Sequence, residues 1–342
     1  MAVTLPVSPL VAILHTCHLL LPTWCVAPPA VAQEISLSPT LSIGVLDDPA
    51  AETFGRIEDI AVDDEDRIYV LDYLTREIRV FTSGGRHLQT VGREGGGPGE
   101  FQAPLALTVG PGAALHVADG AGRITIYRLA DTLEYAGSFR TGFSARDLCA
   151  AEGYLFVAGY FEGHVIHKFQ IAGDTGELVA SFGESTAQPP LPTDYSMPQL
   201  ACIPDPMMLV VTGGFYPTLK SYSTSGQLIW SSELPDFRQM SITVEGEAWV
   251  FGFPDGPRWN HSIQRVVPFP HSRLAVQLLI RRPRGEVSEI ETRVVSAEGT
   301  ELYRQRLPFE FVVARSPLVY GKTTDPYPQV IVAQMTVTDP RR

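Results

Sequence analysis

Short runs in which apolar and polar residues alternate recur along the chain, and no run carries a sustained 3.6-residue period. Alternation puts every second side chain on one face, as in a half-buried strand. Arg67-Ile-Tyr-Val-Leu-Asp72, Glu77-Ile-Arg-Val-Phe81 and His87-Leu-Gln-Thr-Val91 form one series, with Ser83-Gly84-Gly85 as the turn before its last member. The same order returns in Ala114-Leu-His-Val-Ala-Asp119, Arg123-Ile-Thr-Ile-Tyr127 and Leu133-Glu-Tyr-Ala-Gly137, with Asp131-Thr132 in the turn. The pattern predicts many short strands and few helices.

Leucines just after the last hairpin turn index the units. They are Leu88, Leu133, Leu178, Leu228 and Leu302, spaced by 45, 45, 50 and 74 residues. The first three spacings match the period of a four-stranded propeller blade. The wide last one predicts an inserted hairpin near 237–260. A second index, Val70, Val117, Val157, Val211, Val276 and Val319, counts six units. Glu247-Ala-Trp-Val250 would open a seventh, but Val250 lies only 26 residues before Val276, too few for four strands and their turns. The sixth unit lacks a fourth strand, and Ile35-Ser-Leu-Ser38 with Leu41-Ser-Ile43 supplies one. The expected fold is all-β: a six-bladed β-propeller of four-stranded antiparallel blades, its ring closed by the N-terminal strand so that no sheet edge is left open. Seven blades is the alternative.

Length alone, 342 residues, would suggest about two domains; the repeat replaces that with one domain over 33–342. Residues 1–32 hold no Asp, Glu, Lys or Arg, and an apolar stretch from Leu10 to Leu21 precedes Ala30-Val31-Ala32. This reads as a signal peptide cut after Ala32, although a basic n-region is missing. Pro6, Pro9 and Pro22 argue against a spanning helix. The expected location is exported, periplasmic or extracellular. Two cysteines then remain, Cys149 and Cys202. They occupy nearly equivalent positions on the first strands of neighbouring units, and the divergence of blades predicts two thiols, not a bridge.

Ile60-Ala-Val-Asp63-Asp-Glu-Asp66-Arg-Ile-Tyr-Val-Leu-Asp72, with Val80-Phe81 and then Val91-Gly92-Arg-Glu-Gly95-Gly96-Gly97-Pro98-Gly99-Glu100-Phe101, resembles the NHL repeat. The chain is similar to exported bacterial six-bladed propellers of NHL type. The unit 54–101 carries the motif most fully, and later units keep the strands but lose Gly-Pro-Gly-Glu-Phe. The resemblance implies a six-bladed ring that binds a partner through one rim, and it implies no single activity.

Net charge is −12, which leaves no basic stripe for nucleic acid. Asp63-Asp64-Glu65-Asp66 looks like a calcium cluster but sits in a tight turn, where such side chains bond the local backbone. Asp72 and Asp119 end equivalent strands and should cap turns. Gly95 to Gly99 lacks the Lys-Ser/Thr and helix of a phosphate loop. Enzymes of this fold hold calcium or zinc in the channel. The calcium type uses several asparagines, and this chain has only Asn260. His164 and His167 are three apart on one strand and point to opposite faces. Glu58 and Asp59, being adjacent, should diverge too, with one of them facing the channel mouth. No catalytic residue, metal site or cofactor is therefore assigned, and a channel-site metal hydrolase or lyase using calcium or zinc is the alternative. What remains is a rim. Loops leaving each second strand and loops leading into each blade share one face, and they carry Tyr73, Arg93, Arg146, Tyr160, Tyr216, Trp259 and Tyr327. Aromatics with arginine are the composition of a binding surface. The expectation is a monomeric binding module for a protein, peptide or glycan, favouring an anionic or aromatic-stacking ligand.

Overall fold

The structure is a computed structural model that describes residues 34–46, 51–185, 197–245, 248–252, 259–281 and 289–338. The expected signal peptide, 1–32, lies outside the described residues. Those described form six four-stranded antiparallel sheets and one two-stranded sheet, with no helix among them. Blades 1 to 5 cover 57–91, 104–140, 147–184, 198–233 and 260–306, each a meander from an inner first strand to an outer fourth strand. Blade 6 covers 310–338 and takes its outer strand, Glu34–Ile43, from the other end of the chain. Six such blades rule out the seven-bladed alternative. Ser241–Glu245 and Ala248–Gly252 pair only with each other, between blades 4 and 5.

The closing strand works through its register. Glu34 pairs with Thr338 and Ile43 with Val330, but the register shifts between Pro39 and Leu41. One extra residue flips the pleat. Ile35 therefore packs toward blade 5, with Val267 and Phe269, while Ile43 packs toward blade 1, with Ile57 and Val70. Each buried side chain contributes about 1.5–3 kcal/mol. Gln305 of blade 5 clamps the strand from outside: its Oε1 accepts from Ile35 N at 2.8 Å and its Nε2 donates to Ile35 O at 2.9 Å.

The core is divided among the blade interfaces. Six apolar clusters are each built from two neighbouring blades. Middle strands are therefore covered on both faces, unlike the half-buried strands that alternation predicts. Ile68–Asp72 and Ala114–Asp119 are buried at every position. Alternation survives on the outer strands, such as Glu301–Arg306. The motif residues are structural. Phe101 is buried against Gly92, where a side chain would meet its ring at 2.6 Å. Asp72 accepts from the backbone N–H groups of Gly55, Arg56 and Leu74, and Asp119 from Gln102, Ala103 and Ala121. Asp63 accepts from Glu65 N, Arg67 N and Tyr69 Oη within its turn.

Two expectations are corrected. Cys149 and Cys202 are a disulfide, with Cα atoms 5.7 Å apart. Blades do diverge, but the divergence opens outward; the inner strands stand nearest the axis, within bridging distance. Glu58 and Asp59 both serve the channel, because the register shifts between Ile57 and Asp59 and cancels their alternation.

Candidate functional site

The inner strands line a central channel whose open edge would leave backbone N–H groups without partners. Side chains from the preceding blade supply acceptors at alternate interfaces. Asp59 Oδ2 accepts from Leu107 N at 2.8 Å, Asp147 Oδ2 from Leu200 N at 2.8 Å, and Gln277 Oε1 from Phe311 N at 3.1 Å. Asp59, Asp147 and Arg265 come from blades 1, 3 and 5 and meet at the waist of the channel. Arg265 Nη1 lies 2.8 Å from Asp59 Oδ1, its Nη2 donates to Glu58 O at 3.0 Å, and its Nε lies 3.4 Å from Glu310 Oε1. All three are nearly removed from water, and such a buried pair holds only while both partners remain.

Asp147 and Arg265 line the cavities on both sides of this waist. Toward the ends of the inner strands the cavity is about 250 Å³ and is bordered by Val62, Leu107, Val109, Val266, Val312 and both bridged cysteines, together with Asp59 and Thr108. Toward their starts it is about 240 Å³ and mixes Arg146, Arg281, Lys322, Glu58 and Glu310 with Leu105, Met197, Phe215 and Ile263. This second cavity is the mouth that loops leaving the second strands and loops leading into the blades surround. Glu58, Gln264, Glu310 and Lys322 also border an adjoining groove of about 970 Å³ over blades 5, 6 and 1.

The charges at the mouth fall into two groups. Glu58 is paired with Arg56 at 2.9 Å, and Lys322 Nζ donates to Glu58 O at 2.8 Å and stands 3.6 Å from Glu310. Those carboxylates are answered from within the protein. Arg146 is not: among the described residues no acceptor or carboxylate meets its guanidinium. Among the described residues Arg281 reaches only the Ser262 hydroxyl, at 2.9 Å. On the floor, Asp147 accepts backbone N–H groups from Leu148 and Leu200, and burial pushes its carboxyl up to about 7, with the Asp59 charge adding to the rise and Arg265 opposing it.

The seven sequence-predicted rim residues do not converge. Arg146 alone among them lines the mouth. Tyr216 is 1% exposed and is corrected from rim to core: its ring is removed from solvent and is not free to meet a ligand. Half-buried Tyr73 is sandwiched by Arg56 at 3.7 Å and Arg76 at 4.2 Å. Exposed Arg93 is 2.6 Å from Glu100 within its own loop. Trp259 carries Arg238 on its ring at 4.1 Å and lines a separate cleft with His261, Phe237 and Arg293. Tyr160 and Tyr327 are half-buried and outside the mouth. Sequence reading missed Arg281, Lys322, Arg265 and Glu310. The signal was there for three of them: Arg281, Lys322 and Glu310 sit at the mouth end of an inner or second strand, a position the valine index locates, while Arg265 lies midway along its inner strand.

Histidine chemistry is muted. Burial holds His116 and His167 down to about 4, so both are neutral, and His167 is fixed between Ser181 Oγ at 2.9 Å and Gly159 O at 3.1 Å. Among the described residues no three His, Cys, Asp or Glu side chains gather as a metal-ligand set.

Comparison with known proteins agrees with the geometry. Residues 49–171 match a family model described as a 6-bladed beta-propeller, DUF5128. No curated protein matches the chain. Among solved structures, a DUF4221 family member from Bacteroides vulgatus superposes with a TM-score of 0.59 at 8% identity, covering 89% of this chain and 99% of its own. A candidate exported protein of Bacteroides fragilis gives 0.52 at 11% identity, covering 92% and 97%. A streptogramin B lyase gives 0.50 at 10% identity, covering 91% and 100%. At such identities the likeness establishes the fold alone: this chain is a six-bladed β-propeller.

Proposed function

We propose that the protein is an exported, monomeric binding module of NHL type whose ligand, a protein, peptide or glycan, seats on the channel mouth. The observation that carries this reading is the pair Arg146 and Arg281, whose guanidinium groups find no carboxylate among the described residues while the charges around them are satisfied. Arg146 is half-buried and Arg281 exposed; a half-buried cation without a counterion is poorly solvated, so a ligand that supplies the missing charge gains most at Arg146. The waist closes the pocket beneath, so a ligand enters from one face and does not thread the ring. The apolar leader that ends in Ala30-Val31-Ala32, together with a fold neighbour described as a candidate exported protein, supports export.

A peptide and oligosaccharide array probed with the protein and with its Arg146→Ala variant tests the reading. Ligands of the protein should be lost by the variant while its melting curve is unchanged. Binding that ignores Arg146 and Arg281 alike would move the ligand face elsewhere. The metal-dependent hydrolase or lyase alternative predicts stoichiometric calcium or zinc in purified protein, and such a finding would displace the binding-module reading.

A further inference from the structure

The mouth's charge inventory narrows the ligand. In this cavity Arg265 is paired with Asp59 and Lys322 stands against Glu310, which leaves Arg146 and Arg281 as the cations that no carboxylate among the described residues answers. An anion with two oxygens can meet both. Arg146 and Arg281 each present a planar fork of donors, the geometry that takes both oxygens of a carboxylate. Leu105, Met197, Phe215 and Ile263 line the same cavity and offer apolar surface. A sugar acid, covered with hydroxyls, would strand its polar groups there, whereas an aliphatic or aromatic side chain would not.

Size adds a second constraint. A volume of about 240 Å³ above a closed waist accommodates an end group, not the middle of a chain. The adjoining groove of about 970 Å³ shares Glu58, Gln264, Glu310 and Lys322 with the mouth, and has room for what is attached to that end.

Resting on the binding-face reading above, we propose that the mouth captures the C-terminal carboxylate of a peptide with an apolar last residue, clamped between Arg146 and Arg281, with the preceding residues lying in the groove over blades 5, 6 and 1. The carboxylate supplies the counterion the two guanidinium groups lack, and the last side chain displaces water from Phe215 and Ile263.

Calorimetric titration of the protein with N-acetylated pentapeptides ending in leucine or phenylalanine, each as free acid and as C-terminal amide, tests this. The free acids should bind, the amides about tenfold or more weaker. R146A and R281A should each weaken the free acid by a similar factor with melting temperature unchanged, and R146K should recover part of the loss. If acid and amide bind alike and both need Arg146, the carboxylate proposal falls while the mouth stands as the ligand face. If both bind and neither needs the mouth arginines, both readings fall. If oligogalacturonate binds and no peptide acid does at about 1 mM, the weak end of specific recognition, the peptide assignment is overturned.

Discussion

Above the waist the inner and second strands present Arg146, Arg281, Lys322, Glu58 and Glu310; below it the same inner strands present Val62, Leu107, Val266, Val312 and a disulfide. The two cavities are nearly equal in volume, about 240 and 250 Å³, so space does not distinguish them. Chemistry does. The lower half is finished: Val62, Leu107, Val266 and Val312 pack into the clusters between blades, Asp59 is answered by Arg265, and Cys149–Cys202 ties blade 3 to blade 4. The upper half is left with unanswered charge. A ring needs one half to hold its inner strands together, and the other is then free to carry polar groups that cost stability when empty.

The waist divides these halves, and breaking it should have the largest effect. Arg265→Ala leaves Asp59 and Asp147 buried without their counterion, which costs about 3–5 kcal/mol. Urea unfolding measures it. A loss below about 1 kcal/mol would show that water reaches the waist and that the two cavities are one channel.

Next is the disulfide, which closes a sequence separation of 53 residues. Cys149→Ser with Cys202→Ser should cost about 2–4 kcal/mol in unfolding free energy. Thiol labelling of unreduced, unfolded protein should find no reactive group. Ligand binding at the mouth should survive this change, since the bridge stands beyond the waist.

Asp147 yields a pH signature with a defined sign. Its carboxyl rises from 3.8 to about 7 on folding, so the folded chain binds this proton more tightly than the unfolded one. The stability it contributes is complete below about pH 4 and is lost as pH rises toward 7, about 1.4 kcal/mol for each unit of pKa difference. Asp63 works the other way: its hydrogen bonds with Tyr69 and Arg67 hold it below its ordinary value, so its contribution disappears as pH falls. Comparing Asp147→Asn with the unaltered protein isolates the first effect. The variant should gain relative stability between pH 5 and pH 8, and a pH-independent difference would place the Asp147 proton elsewhere.

Much of the ring was readable from the chain because its causes are local. Val70, Val117, Val157, Val211, Val276 and Val319 mark second strands, all 0–1% exposed, since a strand between two blades accepts only apolar faces. Ile35 and Ile43 announced the closing strand. The site was harder to read because it depends on quantities the sequence does not carry. Register shifts after Ile57 and Pro39 change which face a residue takes. The distance between neighbouring inner strands decided the disulfide, and the aromatics chosen for their residue type met arginines of their own loops instead of one another. Arg56 and Arg76 enclose Tyr73, and Arg238 covers Trp259.

The smallest expected effect on stability sharpens the comparison most. Arg146 and Arg265 line the same cavity and are the same residue type. Arg265 is held by Asp59, Glu310 and the Glu58 carbonyl; Arg146 has no such partner among the described residues. Removing a charge that answers nothing leaves no orphan behind. Arg146→Ala should therefore shift unfolding free energy by about 0.5 kcal/mol or less, against the several kcal/mol expected at Arg265. Arg281→Ala, which gives up one bond to a Ser262 hydroxyl that Gln264 also reaches at 2.8 Å, should behave the same way. Thermal melts of the three alanine variants side by side measure the ratio. If Arg146→Ala proves as costly as Arg265→Ala, Arg146 is bound into the fold, the mouth is as finished as the lower half, and no charge is left there for a ligand to answer.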